Sequence, residues 1–246
     1  TSKKFDDTTK MFEEPKNDFL QKVRKIVDQN NSMLVLDEIV TGFRFDIGGA
    51  QKFFNIKGDI TCFGKGMSNG LPLSAVTGPT EFMRVFDDLW VSSTNNSDAL
   101  SIAGSKAVIT EMIEKKTIEH CWNIGKKMFY GWNKIAEENG INAKMAGYPI
   151  RMDLKCYDDR GVESISMKSF ILQEMVKQGI FMSILGASYI SYSHSVQDIE
   201  NTLQAFENTC KFISKNVVEN NYEKFLEGEQ PKTIWSMKIP PTKRHY

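Results

Sequence analysis

The run Met33-Leu34-Val35-Leu36, closed by Asp37-Glu38, constrains the fold more than any other stretch. Apolar residues without polar alternation read as a strand buried on both faces, as in parallel sheets. Carboxylates at its C-terminal end put polar chemistry where open α/β sheets hold their ligands. Upstream, Phe19, Leu20, Val23, Ile26 and Val27 repeat at helical spacing, a stripe expected to be buried. A second strand over 60–63 leads into Gly64-Lys65-Gly66-Met67-Ser68-Asn69-Gly70, and a third is expected over 73–77.

Helical patterns cover 99–115 and 117–139, after which strands and helices alternate. Strands are expected at 143–145, 150–154, 180–182 and 189–191, with a helix over 166–178. Ser195-Val196-Gln197-Asp198 has capping-box spacing and opens a final amphipathic helix through Leu203, Phe206 and Ile213. Pro231, Pro240 and Pro241 mark an irregular tail. The pattern predicts an α/β chain with a boundary near 120–140: one domain over 1–125, a smaller one over 126–215, and a tail over 216–246.

Composition narrows the function. With 31 basic and 31 acidic side chains there is no excess charge to neutralise phosphates, so a dedicated nucleic-acid binder is excluded. No apolar run reaches the ~20 residues that span a bilayer, and the charged start has no apolar leader core behind it. Cys62, Cys121, Cys156 and Cys210 are scattered and read as reduced thiols, which with the missing leader points to a cytoplasmic protein.

The chemistry sits in Asp37-Glu38-Ile39-Val40-Thr41-Gly42-Phe43-Arg44, in Gly64-Lys65-Gly66, and in Thr94 ahead of a helix. Residues 37 and 39 project to one side of the strand, because side chains alternate with period two. A flat heteroaromatic ring across that end takes Asp37 at its edge and rests on Ile39. A carboxylate at the ring nitrogen keeps it protonated, and the resulting pyridinium is the electron sink of pyridoxal phosphate (PLP) chemistry. A lysine from a neighbouring strand end reaches the ring's aldehyde carbon, and burial is expected to favour its neutral amine.

Residues 37–44, with Gly48-Gly49-Ala50-Gln51, Asp59-Ile60-Thr61, Gly64-Lys65 and Gly70-Leu71-Pro72, resemble the class III PLP-dependent aminotransferases, most of all the glutamate-1-semialdehyde aminomutase-like members. The resemblance runs from about Met11 to Ile213. It implies PLP-transferase fold type I: an incomplete large domain with a mainly parallel sheet, then a small α+β C-terminal domain. Lys65 would hold the cofactor, Asp37 face the ring nitrogen, and Ile39 pack on the ring. Thr94 would contact the cofactor phosphate of a neighbouring subunit, implying a homodimer with shared active sites; Ser93-Thr94-Asn95-Asn96-Ser97-Asp98 departs from the usual Thr-x-x-Gly-Asn-Pro. The implied reaction is ping-pong transamination between an amino donor and a carbonyl acceptor. An intramolecular amino shift and a non-catalytic partner half are the alternatives. Family members are longer at the N-terminus, where a phosphate-cradling loop and a stacking aromatic ring are expected.

Competing motifs are weaker. Gly66-Met67-Ser68-Asn69-Gly70 matches the hydrolase elbow, with Asp153 and His194 in chain order, but Pro72 falls where the elbow needs a helix. Asn69 breaks a dinucleotide fingerprint. His120, His194 and His245 read as isolated, without metal partners. Arg44 and Arg151 could hold a substrate carboxylate or serve as structural ion pairs.

Overall fold

The computed structural model describes residues 14–91, 93–184, 186–217 and 221–230. His245 and the proline-rich part of the tail from Pro231 onward lie outside them. Among the described residues two compact units emerge, one running to Gly125 and taking in Ile190–Ser195, the other comprising Lys126–Tyr189 and the described chain from Val196 on.

In the first unit α1 (Phe19–Gln29) precedes β1 (Val35–Asp37), α2 (Gly49–Phe53), β2 (Ile60–Phe63) and β3 (Ala75–Thr77). The short helices α3 (Thr80–Met83) and α4 (Val85–Asp88) follow, then α5 (Ala99–Glu114) and α6 (Thr117–Glu138). The α1 stripe forms as expected but is not buried: Phe19 and Ile26 are exposed, and no α1 residue falls in the core. Polar contacts hold the helix instead. Arg24 donates to Asp59 at 2.7 Å, and Asp59 also accepts the Leu34 N–H at 2.7 Å. The Leu34 N–H and then Arg24 hold the Asp59 carboxyl below its ordinary range.

The sheet order is β1-β2-β3. β1 and β2 run parallel, with Val35 beside Ile60 and Asp37 beside Cys62. β3 runs antiparallel to β2, so the mainly parallel sheet expected from sequence is corrected to a mixed one. The cause is the link: residues 64–74 contain a tight turn and no crossover helix, too little to bring β3 back parallel.

The second unit holds β4 (Ala143–Tyr148), β5 (Arg151–Cys156), α7 (Ile165–Lys177), β6 (Ser188–Tyr189) and α8 (Val196–Asn216). Its strands form an antiparallel sheet in that order, and α7 packs on β5 and α8. Trp132 of α6 is fully buried, donates from Nε1 to the Ala143 carbonyl at 3.0 Å and stacks on Phe206 at 3.5 Å. The strand expected at 180–182 is absent. Gly179 (φ 83) donates to the Val176 carbonyl at 2.9 Å and Ile180 to that of Met175 at 3.0 Å, so the apolar run is a Schellman cap of α7. Part of the supposed irregular tail is ordered too. Tyr222–Phe225 form a 3-10 turn against α7, with Phe170 rings 5.9 Å from Tyr222 and 6.0 Å from Phe225. Burial pushes the Tyr222 hydroxyl up to about 12.

Candidate active site

The parallel register brings two distant groups to one edge. Asp37 closes β1 beside Cys62, and Lys65 follows Cys62 by three residues, just past the end of β2. Neighbouring strands lie about 4.8 Å apart, so both residues leave the sheet at the same C-terminal edge. Asp37 and Lys65 are exposed and Ile39 is half-buried. The desolvation expected for Lys65 is therefore not provided by the described residues.

Strand parity does not orient Ile39, because β1 stops at Asp37 and residues 39–44 form turns. The Ile39 N–H donates to the Asp37 carboxylate at 3.0 Å, an Asx-type closure that bends the chain. Bending carries the Ile39 side chain toward Lys65's neighbour: a Cβ built on Gly64 would stand 3.7 Å from Ile39 Cγ2. Ile39 thus lies beside the lysine turn for a different reason than the sequence gives.

Lys65 opens a 3-10 turn, Lys65–Met67, in the left-handed region at φ 45. A lysine there carries local strain. The turn is pinned from α5, where the buried Ser105 hydroxyl donates to the Met67 carbonyl at 2.9 Å. Ser105 is a supporting residue that motif reading misses; the small run Ala103-Gly104-Ser105 inside α5 is its one sequence signal.

Beneath Asp37 the chain is held by Glu38, only 2% exposed. Its carboxylate accepts from the Thr41 hydroxyl, from the Ala50 N–H at 2.9 Å and from the Gln51 N–H at 2.7 Å. Two glycines make this possible. A Cβ on Gly49 (φ +81) would stand 2.6 Å from the Glu38 carboxyl, and one on Gly42 would stand 2.6 Å from the Phe63 ring.

Thr94 lies in the exposed turn before α5 and makes no hydrogen bond to Asp37, Ile39 or Lys65. The polar residues after it are helix-starting chemistry: Asp98 caps α5 by accepting from the Ser101 N–H at 2.8 Å and the Ser101 hydroxyl at 2.5 Å. Those bonds, the hydroxyl first, lower the Asp98 pKa.

The competing readings fail on geometry. Ser68 is buried and donates its hydroxyl to the Leu71 carbonyl at 2.5 Å, which leaves no exposed nucleophile. Asp153 is bound to two lysines, and His194 Nδ1 accepts the Ser191 N–H at 3.0 Å. Two of the histidines read as isolated, His120 and His194, are adjacent, His120 Nε2 lying 3.0 Å from the His194 carbonyl. Among the described residues no group of His, Cys, Asp or Glu could hold a metal, and no helix is long and apolar enough to cross a membrane. Arg44 contacts the Ile190 carbonyl at 3.4 Å, and Arg151 the Tyr189 hydroxyl at 3.3 Å.

The thiols give a simple check of this packing. Cys62 and Cys121 are partly exposed, whereas Cys156 and Cys210 are buried. Burial raises the Cys210 thiol to about 12 and pushes Cys156 higher still. Burial also raises Cys121, against the opposing charge of Arg44. A disulfide exchange reagent at neutral pH should therefore modify Cys62 first and Cys121 more slowly, and reach Cys156 and Cys210 only in denaturant. Fast labelling of Cys156 in the native chain would contradict the β5 packing.

A primary amine, a carboxylate and an apolar side chain at one sheet edge are the donor set that the ring of PLP needs, so these residues fit that group. The model of the family Aminotransferase class-III matches residues 12–209. The 3-aminobutyryl-CoA aminotransferase of Cloacimonas acidaminovorans is 30% identical over 205 residues, covering 82% of this chain and 49% of that protein. The glutamate-1-semialdehyde 2,1-aminomutase of Alkaliphilus oremlandii is 29% identical over 209 residues, with the same shares. The chain thus spans about half the length of the curated relatives it matches. The Sphingopyxis sp. MTA144 FumI protein, solved in its PLP internal aldimine form, superposes with a TM-score of 0.73 at 22% identity, covering 80% of this chain and 47% of that one. The fold is the α/β fold type I of PLP-dependent transferases. With the family model spanning most of its length, the chain belongs to the class III aminotransferases.

Proposed function

We propose that this chain is the C-terminal portion of a PLP-dependent aminotransferase, with residues 1–125 as half of the large domain, 126–215 as the small domain and 216–246 as a tail. Bound PLP supplies the electron sink. Asp37 would hold a proton at its ring nitrogen, Ile39 would shield the ring from water, and Lys65 would hold the cofactor. Lys65 then moves the proton at the amine-bearing carbon of the substrate, as general base and acid. Thr94 serves the phosphate of a second copy in a cytoplasmic homodimer. The substrates are a small amino donor and a carbonyl acceptor.

One observation carries the reading: the parallel pairing of Asp37 with Cys62, which sends a carboxylate and an amine out of the same sheet edge. The aminomutases among the relatives favour a second reading, an intramolecular amino shift by the same three residues.

The test is to mix the purified chain with PLP, reduce with borohydride and map the modified peptide. The expected product is one modification at Lys65. Labelling spread over surface lysines, or none, would favour the non-catalytic partner half.

A further inference from the structure

We propose that Glu38 is the positioning residue of this site, the group that fixes Asp37 relative to the strand end carrying Lys65. The inference rests on the functional reading above and adds a residue to which neither the sequence motif nor that reading gives a role.

Glu38 is buried beside an exposed Asp37, and every donor to its carboxylate is neutral: the Thr41 hydroxyl and the N–H groups of Ala50 and Gln51. Its backbone is committed as well, its N–H donating to the Cys62 carbonyl at 2.9 Å and its carbonyl accepting the Gly42 N–H at 2.8 Å. The clamp continues through the Gln51 side chain, which donates to the Thr61 hydroxyl at 3.3 Å and accepts the Gly58 N–H at 3.4 Å. One carboxylate therefore ties the end of β1 to the start of α2 and, through Gln51, to β2. The chain leaving Asp37 has a single path, and that path keeps the Ile39 N–H on the Asp37 carboxylate at 3.0 Å. A buried carboxylate left short of donors is costly, so the clamp either closes completely or releases the turn.

Glu38→Gln keeps the shape but turns one acceptor oxygen into a donor, which must face an N–H or O–H. Ala50→Pro removes a single N–H in the first turn of α2, where proline is tolerated. The readout needs no cofactor. In the wild-type chain the Ile39 amide resonance should respond to Asp37→Asn by a clear shift, because that carboxylate accepts its hydrogen bond. In Glu38→Gln the response should disappear, and exchange of the Ala50 and Gln51 amides should quicken about tenfold or more. Ala50→Pro should weaken the Ile39 response in the same direction, and it stands alone should Glu38→Gln not fold. Phe206→Leu, a core lesion in the other unit, should leave the response intact.

Retention of the Ile39 response in Glu38→Gln, its absence in wild type, or its loss in Phe206→Leu would each overturn the inference. Borohydride trapping on the wild-type chain reports separately on the cofactor. No adduct at Lys65 with the Ile39 response behaving as expected sinks the functional reading and leaves the clamp standing.

Discussion

Lys65→Ala is expected to form no borohydride-stable PLP adduct at position 65 and, in any assembly that transaminates, to lose about 10²–10⁴-fold in rate from the proton-transfer role alone. A second consequence follows from the backbone. Lys65 sits at φ 45, a conformation costing a residue with a Cβ about 1–2 kcal/mol. Alanine keeps that cost, whereas glycine does not. Lys65→Gly should therefore melt about 2–4 °C above Lys65→Ala, although both lack the amine. Activity and adduct would follow the amine while stability follows the Cβ, a separation expected where a strained residue is kept for function. Equal melting temperatures for the two variants would mean that the turn relaxes and that the left-handed lysine is not fixed by its surroundings. Ser105 and the turn bonds of Lys65–Met67 argue that it is fixed.

The same turn shows what the sequence could and could not convey. β2 forms over Ile60–Phe63 as expected, because its apolar run is closed by Gly58-Asp59 on one side and Gly64 on the other. β1 begins two residues later than its apolar run, at Val35, since the Leu34 backbone is occupied by Asp59: its N–H by the carboxylate and its carbonyl by the Asp59 N–H at 2.8 Å. Periodicity cannot reveal a bond to a residue 25 positions away. It also cannot separate a short strand from an apolar helix exit, which is why 180–182 misleads: Gly179 fits either, and only the φ 83 cap decides.

At the site, the carboxylate and amine were legible because their spacing follows the edge of two parallel strands. Ile39 was placed by an argument from strand parity, yet it reaches the lysine turn through an Asx closure that only coordinates reveal. Glu38 was visible as a letter in the motif but not as a clamp, because its partners Ala50 and Gln51 offer backbone N–H groups, which every residue but proline carries. Side-chain chemistry is written in sequence; main-chain donors must be located in space.

Asp153→Ala should be the most destabilising single change in the second unit outside its aromatic core. Asp153 and Lys155 are two apart on β5 and so share a face, and Lys168 of α7 approaches that face. Asp153 lies 3.1 Å from the Lys155 ammonium and 3.2 Å from that of Lys168; Lys155 also meets Glu163 at 3.4 Å. Both lysines are under 10% exposed. Truncating Asp153 strands Lys168 without a carboxylate and leaves Lys155 with Glu163 alone, a loss of about 3–5 kcal/mol. For a chain of this size the melting temperature should fall on the order of 10 °C. Because the cost comes from unpaired charge, Asp153→Leu combined with Lys168→Met should recover much of it. The pH dependence follows with a definite sign. Burial opposes the Lys155 charge, but the hydrogen bond to Asp153 and the charges of Asp153 and Glu163 outweigh it, so its pKa is raised. A raised lysine contributes stability that is full below its unfolded value of about 10.4 and is lost as pH climbs through the folded value. Wild type should thus lose stability above about pH 10.4, and Asp153→Ala should show a shallower alkaline decline. If the double variant melted as low as Asp153→Ala, the loss would come from packing at β5 and not from stranded charge.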